Sequence, residues 1–118
     1  MSSRYLVIHM SDPTGTALPQ SEDRAILERW EAEGNAAGRL GEGDPVAGPE
    51  MAKSVTVRDG QTLITDGPFP EFKEWFAGYD LITADSIEEA AEFMAKHPTA
   101  ILGRMYILPL VKLPWDQD

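Results

Sequence analysis

The chain has 118 residues, with 42% of its positions apolar and no cysteine. The absence of cysteine excludes cysteine-based zinc sites, iron–sulfur proteins, thiol enzymes and disulfide scaffolds. Its 20 acidic residues outnumber 10 basic ones, and the formal charge of −10 repels nucleic-acid phosphates and anionic membrane surfaces. We expect one domain over residues 1–118 that contacts neither nucleic acid nor membrane. A cytoplasmic location follows by default, because no apolar run suits a signal segment or a membrane span.

The first part of the chain predicts a strand, a helix and a loop. Residues 5–10 are an apolar, β-branched run, and a segment with proline and glycine follows them. Apolar residues then recur at helical spacing from about residue 22 to 37, with Ser21 as a candidate N-cap and Gly38 as the stop. Residues 41–50 hold three glycines and two prolines, which predicts a short extended piece and a loop.

A β-hairpin is predicted around Asp59 and Gly60. This dipeptide suits the two positive-φ positions of a type I′ turn, and it separates the strand-like runs 55–58 and 61–65. The turn places Val55 opposite Ile64, with the apolar side chains mostly on one face, and we expect that face to be the more buried one.

The remaining chain predicts a strand, a second helix and a last strand. Residues 78–84 form the strand, and Ser86 and Glu89 have the spacing of a capping box at the start of the helix. The helix must end near Lys96, because Pro98 disfavours helical geometry at the residue before it. Residues 105–110 form the last strand.

This order of elements predicts an α+β fold of the ferredoxin-like split βαβ type with an added β-hairpin. Two helices would cover one face of an antiparallel sheet. The other face carries apolar residues, and we expect a second copy of the same sheet to cover it.

Residues 66–69 read Asp-Gly-Pro-Phe, and Glu71, Lys73, Glu74 and Gly78-Tyr79 follow. Together with the Asp59-Gly60 turn, Gly38, Leu40, His97-Pro98, Gly103 and Pro109-Leu110, this order resembles the YCII-related family, in the branch known for its D-G-P-F motif. The resemblance covers most of the chain. It implies a dimeric α+β barrel of two ferredoxin-like protomers, with a cleft in each.

The resemblance also implies two kinds of function. Some members of the wider family resemble small lyases or dehydrochlorinases that use a His and Asp pair, whereas genes of the D-G-P-F branch often neighbour those of extracytoplasmic-function sigma factors. The family's Asp precedes the proline after the second helix, and this chain has His97 there. The final strand of this chain carries Tyr106 and Leu108 at positions where the D-G-P-F branch commonly shows Glu and Arg.

Six residues are candidates for a site. His97 and Asp66 are the candidate catalytic groups, the first because histidine titrates near neutral pH and the second as an acceptor or base. Each also has a structural interpretation: His97 as a cap at a helix C-terminus, and Asp66 as a turn residue. The candidate ligand contacts are His9, Lys73, Tyr79 and Tyr106.

The residues leave two functions open, and analogy with the expected barrel fold alone adds a third, a cofactor-independent oxygenase. One is a small homodimer that binds an organic molecule in the cleft, with cofactor-free acid–base chemistry of a lyase or hydrolase kind. The other is a non-catalytic ligand sensor or partner protein in transcription regulation. We expect no cofactor and no metal, since the histidines and carboxylates lack the spacing of helical zinc ligands.

Overall fold

The computed structural model describes residues 2–67 and 74–116. The strands in these residues are β1 (Ser3–Ser11), β2 (Leu40–Pro45), β3 (Lys53–Arg58), β4 (Gln61–Asp66), β5 (Trp75–Ala84) and β6 (Gly103–Pro109). Four of them form the main antiparallel sheet in the order β2–β5–β1–β6, and a separate hairpin pairs β3 with β4. With the first helix after β1 and the second after β5, this order is ferredoxin-like, so the predicted fold class is confirmed.

The helices are α1 (Gln20–Ala36), α2 (Ile87–Met94) and a short α3 (Thr99–Leu102), with 3-10 turns at Pro49–Met51 and Pro114–Asp116. The predicted Ser86 cap is confirmed, because the Glu89 N–H donates to the side-chain oxygen of Ser86 over 3.1 Å. The Glu89 carboxylate pairs with Arg39. The Ser21 cap is wrong: Pro19 occupies the N-cap position and Ser21 lies inside the helix. Proline fixes its own φ and has no N–H, so a helix can start directly after it.

The Asp59-Gly60 turn is type I′ as predicted, with φ of 51° and 75° at its two central residues. Val55 lies opposite Ile64 in the ladder. However, these two side chains are 63% and 62% exposed, so the prediction of a buried face is wrong for the described residues. Neither strand of this hairpin joins the main sheet, and no helix of the described chain covers it.

The core lies between the helices and one face of the main sheet. Alternate residues of β1 point into it, which buries Tyr5, Val7 and His9 to 5% exposure or less. Because successive residues of a strand face opposite sides, His9 is held against the helices. The buried hydrophobic residues are Tyr5, Val7, Trp30, Ile82, Ala84, Ala90, Phe93 and Met94.

The other face of the main sheet has no helix over it in the described chain. The register pairs Ile8 with Tyr106 and Leu6 with Leu108, so these four side chains share that open face. Tyr106 and Leu108 are each 44% exposed. We call this surface the open face below.

None of the helices found in residues 2–67 and 74–116 combines the length and the apolar character needed to cross a membrane.

Candidate functional site

A cavity of about 300 Å³ opens where α1, β2, β5 and the start of α3 surround the buried end of β1. One wall is apolar, formed by Leu27 and Trp30 of α1, and the other carries two histidines and an aspartate. The residues that line it are His9, Leu27, Trp30, Glu31, Gly43, Asp44, Pro45, Ala77, Gly78, Tyr79, Asp80, His97 and Thr99.

His9 and Asp80 form a hydrogen-bonded pair in this cavity. His9 Nε2 lies 2.7 Å from Asp80 Oδ2, and the two side chains are 7% and 20% exposed. They belong to neighbouring strands and share the helix-facing side, because the register places Asp80 opposite Val7 and Gly78 opposite His9. A buried polar group is costly unless it is hydrogen-bonded, so each residue of the pair satisfies the other.

Two glycines make room for this pair. A Cβ at Gly43 would lie 1.9 Å from Asp80 Oδ1, and one at Gly78 would lie 2.8 Å from the carbonyl oxygen of Asp44. Both contacts are shorter than normal van der Waals distances. The closeness of β2 to β5 at the cavity therefore depends on residues without a side chain.

His97 packs beside His9 from within the turn between α2 and α3. The two ring centroids are 4.5 Å apart, and the edge of Trp30 approaches His97 with a centroid distance of 4.7 Å. Burial and the neighbouring His9 imidazole lower the pKa of His97 to about 4, against a smaller opposing effect of Asp80. His97 is therefore neutral at pH 7.

Thr99 connects the two histidines. Its hydroxyl lies 2.9 Å from His9 Nδ1, and its backbone N–H donates to His97 Nδ1 over 3.1 Å. Since Nδ1 of His97 accepts this hydrogen bond, the proton of its neutral ring is on Nε2. His97 is thus a neutral hydrogen-bond donor through Nε2.

His9, Asp80 and His97 are also the residues that could hold a metal ion, because one ligand atom from each lies within 4.8 Å of the others. The hydrogen bonds weigh against this use. His9 Nε2 is bonded to Asp80 and Nδ1 to Thr99, so an ion held by all three residues would have to displace one of these contacts. The hydrogen bonds of His9 to Asp80 and Thr99 fit proton transfer better than metal binding.

His9, His97 and Tyr79 are among the residues that line the cavity. The register pairs Tyr79 with Ile8, so the Tyr79 side chain points toward the open face, away from His9. The hydroxyl of Tyr79 donates to Glu42 over 2.9 Å, and this bond to Glu42 raises the pKa of the phenol. Asp66 is elsewhere, at the end of β4, where it pairs with Lys53 and its side chain is 88% exposed.

Tyr106 lies on the open face and is not a lining residue. Lys73 falls outside the described residues, as do Pro68 and Phe69 of the D-G-P-F motif.

Sequence reasoning missed Asp80 and Thr99. A signal for Asp80 was present, because it alternates with Ile82 and Ala84 in a predicted strand and so falls on the buried face. A carboxylate in that position needs a partner, and His9 occupies the equivalent face of the first strand. Thr99 carried no such signal, since its place depends on the turn that follows α2.

One family model and one known protein are similar to most of this chain. The family model of the YCII-related domain matches residues 4–114. An uncharacterised protein of Rhizobium meliloti (strain 1021) is 31% identical over 93 residues, and the alignment covers 75% of each chain. The narrower D-G-P-F branch stays a prediction.

Proposed function

The chain belongs to the YCII-related family, and from this premise we propose that it is a cofactor-free acid–base catalyst of a small organic molecule bound in the cavity. The observation that carries the proposal is the buried pair of His9 and Asp80, with 2.7 Å between Nε2 and Oδ2. A histidine oriented by a carboxylate is the usual arrangement of a general base or acid in enzymes.

Each group has a separate role in this proposal. Asp80 accepts the Nε2 proton of His9 and so keeps the basic lone pair of the neutral ring on Nδ1, which is the nitrogen that takes up a proton. Asp80 also stabilises the positive charge that develops on the ring. In this proposal His97 donates a hydrogen bond from Nε2 to the bound ligand. It adds no positive charge beside His9, because burial keeps the pKa of His97 at about 4.

The lining indicates the charge of the ligand. Glu31, Asp44 and Asp80 are acidic, and no lysine or arginine is among the described residues that line the cavity. An anionic ligand would be repelled, whereas a neutral or cationic one would not. Leu27 and Trp30 supply an apolar wall, so we expect a neutral or cationic molecule with an apolar or aromatic part.

We also propose that the protein is a homodimer joined through the open face. Tyr106, Leu108 and Phe76 are 44%, 44% and 46% exposed there, beside Leu6 and Ile8 of the central strand. Monomers rarely leave a contiguous apolar patch of this kind in water. We favour a second copy of the chain as the partner on this face. A two-fold rotation places the apolar open face of one copy against the same face of the other.

The binding part is tested with three compounds of similar size: benzylamine, benzyl alcohol and benzoate. A ligand that prefers the folded state raises the melting temperature, so we expect benzylamine and benzyl alcohol to raise it more than benzoate. Glu31→Gln should reduce the difference between amine and benzoate. A larger shift with benzoate in the parent protein would contradict the proposed ligand charge.

The catalytic part is tested on a wider set of neutral and cationic compounds, whose conversion is followed by mass spectrometry. Loss of a proton-transfer residue typically costs about 10²- to 10⁴-fold in rate, so His9→Gln and Asp80→Asn should lose turnover. Asp66→Asn gives the matched carboxylate change on the hairpin, and its turnover should equal that of the parent. Saturable binding without turnover of any compound would favour the ligand-sensor role instead.

A further inference from the structure

Asp80, His9 and Thr99 form one continuous chain of hydrogen bonds at the cavity. Asp80 Oδ2 lies 2.7 Å from His9 Nε2, and His9 Nδ1 lies 2.9 Å from the hydroxyl oxygen of Thr99. A hydroxyl within hydrogen-bond reach of a base, with the base oriented by a third group, is the geometric signature of an activated nucleophile.

The protons in this chain have defined places. A carboxylate without a proton can only accept, so a His9 ring with one proton carries it on Nε2, toward Asp80. The lone pair on Nδ1 then accepts the hydroxyl proton of Thr99. His9 is 5% exposed and each of its nitrogens has a hydrogen-bond partner, whereas Thr99 is half-buried and lines the same cavity.

We propose that Thr99 is a nucleophile in acyl transfer, with His9 as its base and Asp80 as the residue that orients His9. This rests on the proposed role of His9 as proton acceptor. The substrate class is a small neutral or cationic ester or lactone, in agreement with the acidic lining. Because the acyl group stays on the enzyme between two steps, this activity goes beyond simple proton abstraction.

The reaction balances without a cofactor. Thr99 Oγ1 forms a bond to the carbonyl carbon of the ester while its proton moves to His9 Nδ1. The tetrahedral intermediate collapses, the bond to the alkoxy group breaks, and His9 returns the proton to that leaving oxygen. Water then attacks the threonyl ester by the same route, releasing the acid and restoring the hydroxyl.

In this proposal His97 supplies a neutral hydrogen-bond donor beside the nucleophile. The Thr99 N–H fixes its ring through Nδ1 beside the nucleophile, and Nε2 carries a proton. A neutral N–H donor near the attacked carbonyl can stabilise the negative charge that develops on its oxygen.

The proposal is tested with p-nitrophenyl acetate and the full chain. We expect hydrolysis with a burst of p-nitrophenol, and acetyl on Thr99 in peptides from acid-quenched protein. Thr99→Val keeps the shape of the side chain without the hydroxyl and should lose about 10²-fold or more in rate, whereas Thr99→Ser should retain activity. Thr65→Val on the hairpin is the matched control and should hydrolyse at the parent rate.

The outcomes separate this proposal from the general acid–base function. Hydrolysis that needs His9 but persists in Thr99→Val, with no acetyl on Thr99, would overturn the nucleophile and leave His9 as a base acting on water. Hydrolysis unchanged in both His9→Gln and Thr99→Val would overturn both roles for this reaction. No hydrolysis above the uncatalysed rate would overturn the acyl-transfer proposal, while the compound screen described above judges the proposed function.

Discussion

A Cβ atom at Gly43 would lie 1.9 Å from Asp80 Oδ1, so the carboxylate that orients His9 has its place because β2 carries a glycine opposite it. Gly43→Ala should push Asp80 away from His9. The Nε2–H proton of His9 should then exchange faster with water and its NMR signal should broaden, because the hydrogen bond no longer protects it.

Gly41→Ala is the matched control for this change. It lies on the same strand, and its Cβ would meet the carbonyl oxygen of Leu81 at 2.8 Å instead of Asp80. Equal broadening of the His9 signal in both variants would mean that damage to the strand, and not displacement of Asp80, is the cause.

The buried His97 should make stability depend on pH in a defined window. Its pKa is lowered from 6.5 to about 4, chiefly by burial and next by His9, and Asp80 is the carboxylate that faces it. Between these values the unfolded chain binds more protons than the folded one, so the free energy of unfolding should fall as pH drops from about 6.5 toward 4. Above about pH 6.5 the free energy of unfolding should no longer change with pH because of His97.

His97→Gln removes the titrating group and should flatten that part of the profile. The stability of both proteins is measured by thermal unfolding at several pH values between 4 and 7. Only the slopes of stability against pH are compared, because the variant can differ from the parent in absolute stability. Parallel profiles would show that His97 is not the group responsible.

The open face should control the oligomeric state. Leu108→Asp places a charge in the middle of the proposed dimer contact, and burying an unpaired carboxylate is costly, so we expect a monomer in sedimentation equilibrium. Met51→Asp changes a residue that is 72% exposed and lies outside the main sheet, and it should remain a dimer. A parent protein that is monomeric at micromolar concentration would contradict the dimer directly.

The hairpin should respond locally to a change in its turn. Gly60 has φ of 75°, a conformation that costs a β-branched residue about 1 kcal/mol or more. Because β3 and β4 pair only with each other in the described chain, Gly60→Val should speed hydrogen exchange over residues 53–66 and leave the main sheet unaffected. Gly60→Asn, which tolerates positive φ, should exchange much like the parent.

The sequence predicted the fold well because its strongest signals are local. The Asp59-Gly60 turn, the Ser86 cap and the apolar, β-branched run of β1 each depend on neighbouring residues, and all three appear in the structure. The start of α1 was misplaced because a serine with two acids after it is typical of an N-cap, whereas Pro19 had already fixed the helix start. Where two local patterns predict different first residues for one helix, backbone geometry determines which prediction is right. That geometry cannot be read from the sequence alone.

The candidate site was harder to predict because it depends on register and on a turn. His9 and Asp80 are 71 residues apart and meet only when β1 and β5 pair as they do. Asp66 belongs to a conspicuous motif, yet it lies on a hairpin that leaves the main sheet. The motif thus predicted a site residue, Asp66, that lies on the hairpin, whereas the carboxylate that contacts histidine lies within β5.

The hydrogen bonds of Asp80 and Thr99 fix where the two neighbouring histidines at the cavity hold their protons in the proposed site. The nitrogen-15 NMR spectrum of the imidazole rings at pH 7 measures these protons directly and needs no ligand. We predict that His97 is neutral with its proton on Nε2, and that His9 is protonated on Nε2 toward Asp80. A doubly protonated His97, or a proton on His97 Nδ1 or on Nδ1 alone in His9, would contradict the account.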